Sequence, residues 1–234
     1  MMNKSAEIEI GFLVVNDLWI TEKDIKLIGR SLKHANLPPT ITVKPLLKEI
    51  RRIYMPTTLE ARNYCEPFQK FREYLTKKYG HKEHGLTEAF SLLQGEFAEK
   101  HKNLYIDIVH CVFFNYCITL GLGQILLYSY SFKPSHLFLL LPNPPTFGSR
   151  GITFQRPLEV EGKKIAVSLI HFKGTETYKT RLLIHELGHQ LGVSSCSNKN
   201  CVMSVCDFID EYATSLPVKF CDACKRKIEE HIFS

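Results

Sequence analysis

The 234-residue chain has no internal repeat and no low-complexity linker, so it is neither a repeat array nor a string of modules on flexible tethers. It lacks a stripe of one charge. Thirty Lys and Arg against twenty-four Asp and Glu leave a formal +6 spread along the chain, which does not demand nucleic acid as a partner. No secretory signal is expected at the start, because its only apolar run, residues 10–15, is short and flanked by Glu9 and Asp17. A cytoplasmic location is therefore expected, where thiols stay reduced. With 44% hydrophobic and 23% charged residues, nothing in the composition points to disorder or collagen, and one sizeable core is affordable at this length. Residues 108–132 contain no Asp, Glu, Lys or Arg, enough to span a bilayer. His110, Asn115, Thr119, Gln124 and two glycines interrupt them, so a buried helix or strand pair is favoured over a membrane segment.

What is present reads as alternating strands and helices, an α/β or α+β pattern. Ile8, Ile10 and Phe12 to Val15 form a strand that becomes apolar on both faces, as a helix-covered parallel sheet requires. Thr21-x-x-Asp24 has capping-box spacing, with Ile25, Ile28 and Leu32 on one helical face and Pro38-Pro39 as a stop. Ile41 to Val43 is a second short strand. Pro67, Phe68, Phe71 and Leu75, then Phe90, Leu93 and Phe97, carry helical spacing, and Leu137 to Leu141 is another buried strand ended by Pro142. Gly151 to Arg156, a Glu161-Gly162 turn and Ile165 to Phe172 read as a β-hairpin. A helix then opens at Thr177 or Thr180 and runs to about Gln190, with Gly192 as its stop.

The chemistry concentrates in His185-Glu186-Leu187-Gly188-His189. Residues four apart share one face of a helix, so both imidazoles can reach one zinc, while Glu186 can take a proton from a metal-activated water and return it to a departing amine. Gly192 allows a tight turn that would bring position 195 beneath the metal, and that position is Ser195. Five of eight cysteines crowd the end of the chain. Cys196-x4-Cys201 and Cys221-x2-Cys224 have the spacing of two knuckles of one closed, structural zinc site, with two disulfides or free buried thiols as the competing reading. Such a site would supply folding free energy to a tail poor in apolar residues. Cys206 reads as a small buried hydrophobe or a substitute thiolate. His110, His136 and His171 read as core histidines or replacement ligands. Lys225, Arg226 and Lys227 read as a solvated helix face.

His185, Glu186, His189, Gly192, Cys196, Cys201, Met203, Cys221 and Cys224 fall at the spacing HExxHxxGx3Cx4CxMx17CxxC, which resembles the signature of the archaemetzincins, a branch of the metzincin metallopeptidases. The clear resemblance covers residues 151–228. It implies a metzincin-like fold with a twisted mixed sheet. One domain over 1–234 would have an upper part, 1–191, bearing the sheet and active-site helix, and a lower part, 192–234, holding the four-cysteine zinc. It further implies a peptidase with two zinc ions, one catalytic and one structural, and a methionine turn at Met203. Gly151 to Arg156 would lie near the edge strand that meets an extended substrate. The family usually supplies a third histidine where this chain has Ser195, so a second expectation is a scaffold that binds peptides or a protein partner without cleaving them. The implied partner is a peptide or protein substrate, with a monomeric chain and neither nucleic acid nor membrane.

Overall fold

The computed structural model describes residues 5–15, 18–53, 73, 77, 125, 128–129, 131–142, 150–154, 157–204 and 215–234. Two units divide the chain, Met1–Ile53 with Leu126–Ser234, and Tyr54–Ile125. The second is almost wholly outside the described residues, and with it lie the helical spacings around Phe68 to Phe97, together with His110. Cys206 is outside them as well.

β1 (Ala6–Val15) is an interior strand of the first unit's sheet. It pairs in parallel with β2 (Ile41–Pro45) and β3 (Arg51–Ile53) along one side, and with β4 (His136–Leu141) along the other. β4 pairs in parallel with β7 (Lys163–His171), whose outer side carries the antiparallel edge strand β5 (Gly151–Thr153). The pattern of β1 explains its place. Glu7 and Glu9 alternate with apolar residues at its start, whereas Ile10 and residues 12–15 are buried, as a strand covered on both faces must be. Leu13, Leu139 and Leu169 stand in register across three strands as one fully buried layer. On the opposite face Phe12 stacks on Phe138 at 5.8 Å, and the next position in that row is Ser168, a buried hydroxyl in an apolar layer.

Helix α1 (Glu22–Lys33) starts with the capping box the sequence predicts: the Asp24 N–H donates to Thr21 Oγ1, and Thr21 N–H donates to the Asp24 carboxylate. It ends at Lys33, before Pro38-Pro39, with Asn36 in the left-handed region (φ 54°). The predicted hairpin is corrected in its first arm. Two short strands replace one: β5 pairs with the far end of β7, and β6 (Leu158–Val160) forms the hairpin proper through Glu161 (φ 49°) and Gly162 (φ 76°), a two-residue turn with both centres left-handed. Pro157, which has no N–H for a ladder, stands between them.

Helix α2 (Glu176–Gln190) is capped two residues before the earlier of the predicted openings, because Thr175 accepts the Tyr178 N–H at 3.2 Å. Thr180 instead shares a hydrogen bond with Ser31 of α1 at 2.9 Å. The predicted stop at Gly192 is observed. Val193 N–H returns to the Gly188 carbonyl (2.9 Å) and Gly192 N–H to that of His189 (3.1 Å), a Schellman closure with Gly192 at φ 81°. Helix α3 (Asp222–Phe233) closes the chain, and its Cys224 and Ile228 join the core formed by β1, α1 and α2. Among the described residues, no helix is long and apolar enough to cross a membrane.

Candidate metal centre

One fully buried side chain fixes the ground beneath α2. Arg181 donates to the carbonyls of Pro217 (2.8 Å) and Ser204 (3.2 Å), pinning two segments that follow the helix against it. The turn at residues 201–204 is held further by hydrogen bonds from Val202 N–H to the Lys219 carbonyl (2.8 Å) and from Cys196 N–H to that of Met203 (2.7 Å). Met203 and Phe220 consequently press on α2 at Gly188. A β-carbon there would meet the Met203 sulfur, and would stand 2.8 Å from the Phe220 ring, so only glycine fits between the two histidines.

One turn of helix sets His185 and His189 side by side, with Glu186 on the same wall. His185 Nδ1 lies 2.8 Å from the Val202 carbonyl, and His189 Nδ1 lies 2.8 Å from the Val193 carbonyl. A carbonyl only accepts, so each Nδ1 carries the proton and each Nε2 keeps its lone pair in the neutral ring. The two Nε2 atoms are 3.1 Å apart. Burial holds both rings in that neutral form, pulling His185 down to about 4 against the hydrogen bond to Val202, and lowering His189 for the same reason. Two imidazole lone pairs aimed at one point are a donor set that a divalent cation such as zinc takes. Glu186 is 3% exposed; burial raises its pKa to about 7 while the Thr153 hydroxyl, 2.7 Å from Oε2, opposes that rise.

These three residues line a cavity of about 860 Å³ together with the edge strand β5. Gly151 of that strand lies directly over Glu186: a β-carbon would meet Oε1 and stand 2.8 Å from Cδ. Ser195 is exposed and is not among the residues lining the cavity. Two imidazoles and one carboxylate are thus the groups brought together here among the described residues. His136 lines the cavity but stands outside that group, its ring 2.9 Å from Ser135 Oγ, and burial lowers its pKa to about 4. His171 is buried in the core, 3.2 Å from the Tyr178 hydroxyl.

Cys196, Cys201, Cys221 and Cys224 gather their sulfurs within 4.8 Å of one another. Across the two segments, Cys196 stands 3.8 Å from Cys221 and Cys201 3.7 Å from Cys224. All four are free, which removes the disulfide reading. A tetrahedron with metal–sulfur bonds of about 2.3 Å has edges of about 3.8 Å, the spacing observed. Burial pushes Cys224 and Cys201 up. Cys221, at the N-terminus of α3, is brought down to about 7, because the Cys224 N–H and the neighbouring thiols outweigh its burial.

Comparison with known proteins falls on the same segment. Residues 172–230 match the model of peptidase family M54. The archaemetzincin of Aeropyrum pernix is 43% identical over 58 residues, covering 24% of this chain and 31% of that protein; the archaemetzincin of Archaeoglobus fulgidus is 35% identical over 75 residues, covering 30% and 46%. The chain thus spans less than half the length of the curated relatives it matches. The crystal structure of the archaemetzincin from Methanopyrus kandleri aligns over 97% of both chains with 13% identity and a TM-score of 0.44. The archaemetzincin resemblance stands, and it is strongest in α2, the turn after it and the cysteine cluster.

Sequence reasoning missed four contributors to this arrangement. Gly188 and Gly151 are required by what they face, Arg181 by what it holds, and Thr153 by its hydroxyl on Glu186. Of these only Gly188 sits inside a motif, at a position where any residue is allowed. His231 was also unmarked, and its ring packs against Gly192 at the cavity rim.

Proposed function

We propose that the chain is a zinc metallopeptidase that hydrolyses peptide bonds at His185, Glu186 and His189, with a second, structural zinc in the four-cysteine cluster. The observation that carries this reading is the pair of neutral imidazoles whose Nε2 lone pairs meet 3.1 Å apart beside a buried carboxyl. A zinc ion held there would supply Lewis acidity, lowering the pKa of water and polarising the scissile carbonyl. The chain's own groups do the rest. The Val202 and Val193 carbonyls fix the tautomer and aim of both ligands. Glu186 accepts the proton of the attacking water and passes it to the departing amine, and a pKa of about 7 leaves its two protonation states close in free energy near neutral pH. The edge strand β5, antiparallel to β7 with its outer side unpaired among the described strands, faces the cavity where an extended peptide would lie. The substrate is a peptide or protein, met by a monomer in the cytoplasm.

Glu186→Gln keeps the size of the side chain and removes its basicity. The variant should retain its zinc and lose peptide hydrolysis by at least about 10²-fold. Unchanged turnover in a zinc-loaded Glu186→Gln protein would end this mechanism.

A further inference from the structure

Ser168 and Gln190 are buried polar residues that the proposed mechanism leaves unused, and both lead to Glu186. The Gln190 amide nitrogen lies 3.1 Å from the Leu137 carbonyl and 2.8 Å from Ser168 Oγ. An amide nitrogen only donates, so Ser168 must accept there, and its single proton is left for Thr153 Oγ1 at 2.6 Å. Thr153 then has one proton of its own. Its candidate acceptors are Glu186 Oε2 at 2.7 Å and the Glu186 carbonyl at 3.3 Å, so the shorter, charge-assisted bond takes it. Every donor in the row from Gln190 points toward the carboxylate. Ser168 is fully buried, so water does not compete for its proton.

We propose that Thr153 is a positioning residue for Glu186, its hydroxyl directed by Ser168 and Gln190. Thr153 tethers Oε2 from β5, while Gly151 of the same strand makes room for Oε1. The edge strand thereby sets the rotamer of the carboxyl that must reach the attacking water. Hydrogen bonds in such a row polarise one another, so losing the first donor weakens the last. This inference rests on Glu186 as the general base.

Two variants isolate the hydroxyl. Thr153→Val keeps the shape and loses the donor; Thr153→Ser keeps the donor and loses a methyl. We expect kcat to fall about 10- to 100-fold in Thr153→Val, with KM within about twofold and zinc content unchanged, since misplacing a reacting group costs on that scale. Thr153→Ser should recover most of the loss. Ser168→Ala should cost less, and Thr153→Val with Ser168→Ala should be no worse than Thr153→Val alone, because both break one row. Crystal structures of the zinc-loaded proteins give a readout independent of turnover: one Glu186 rotamer in the native chain and in Thr153→Ser, several in Thr153→Val. A single Glu186 rotamer in Thr153→Val, or equal kcat losses for the serine and valine variants, overturns the positioning role. If the native protein hydrolyses no peptide while Thr153→Val still frees the Glu186 carboxyl, the positioning role stands and the peptidase reading falls. Should Thr153→Val fail to fold, Thr153→Ala carries the same rotamer test, with the same result deciding it.

Discussion

At the scale of single residues, the glycine between the histidines is as demanding as the histidines themselves. Gly188 has no freedom to grow, because the Met203 sulfur and the Phe220 ring already occupy the space of its β-carbon. Gly188→Ala must push Met203 and the 201–204 turn away from α2, and overpacking of this kind costs about 1–3 kcal/mol. The same shift would drag the Val202 carbonyl from His185 Nδ1. Gly188→Ala should therefore lower both the melting temperature and the zinc affinity of the histidine pair, measured by calorimetry and by chelator competition. A variant that melts lower but binds zinc as before would separate the packing from the ligand geometry.

At the scale of elements, α1 and α2 are joined where Lys179 reaches Asp24 at 2.8 Å, with both side chains mostly shielded from solvent. Burial alone would raise the Asp24 pKa, but hydrogen bonds from Lys179 and Thr21 outweigh it and hold the carboxyl below its ordinary value of 3.8. A carboxyl whose folded pKa is depressed stabilises the protein above the unfolded pKa, and that contribution is lost as pH falls through the folded value. Asp24→Asn should cost about 1–2 kcal/mol near neutral pH. Urea unfolding at pH 7 and near pH 3 checks this: the gap between native and variant proteins should shrink at the lower pH, and a constant gap would assign the loss to packing. The reading of α1 from sequence was accurate at its start, because a capping box is written in neighbouring residues. The start of α2 was not legible in the same way. Thr175, Thr177 and Thr180 can all cap; Thr175 takes the Tyr178 N–H, and Thr180 engages Ser31 across the helix pair.

At the scale of the whole molecule, the two proposed metal centres differ in what they would do for the fold. The histidine pair sits on a helix already held by Arg181, the Schellman closure and the core. The cysteine cluster ties the segment around Cys196 and Cys201 to the N-terminus of α3, and burial makes the Cys201 and Cys224 protons harder to remove. Protein purified without chelator should carry two zinc ions per chain. Graded chelator should take the first from the two-histidine centre with little change in secondary structure, because two protein ligands hold zinc less firmly than four thiolates. Removing the second should unfold α3, read as a loss of helical circular dichroism. One tight zinc per native chain would leave the histidine pair without its proposed metal.

The sequence by itself determined the local matters: the buried strand at β1, the capping box of α1, the i, i+4 pairing of His185 with His189, the stop at Gly192 and the four-cysteine spacing. Each is decided by residues within a few positions of one another or by a repeat of fixed period. Only the tertiary structure decided that Gly151 and Thr153 of an edge strand would bracket Glu186, that Gly188 would bear on Met203, and that Cys196 would stand by Cys221 and Cys201 by Cys224. Those contacts join residues 15 to 35 positions apart, on elements whose approach is set by how the sheet, the helices and the core pack. The chemistry of Glu186 belongs to this second kind, since burial raises its pKa and its hydrogen-bond partner is a threonine from the edge strand.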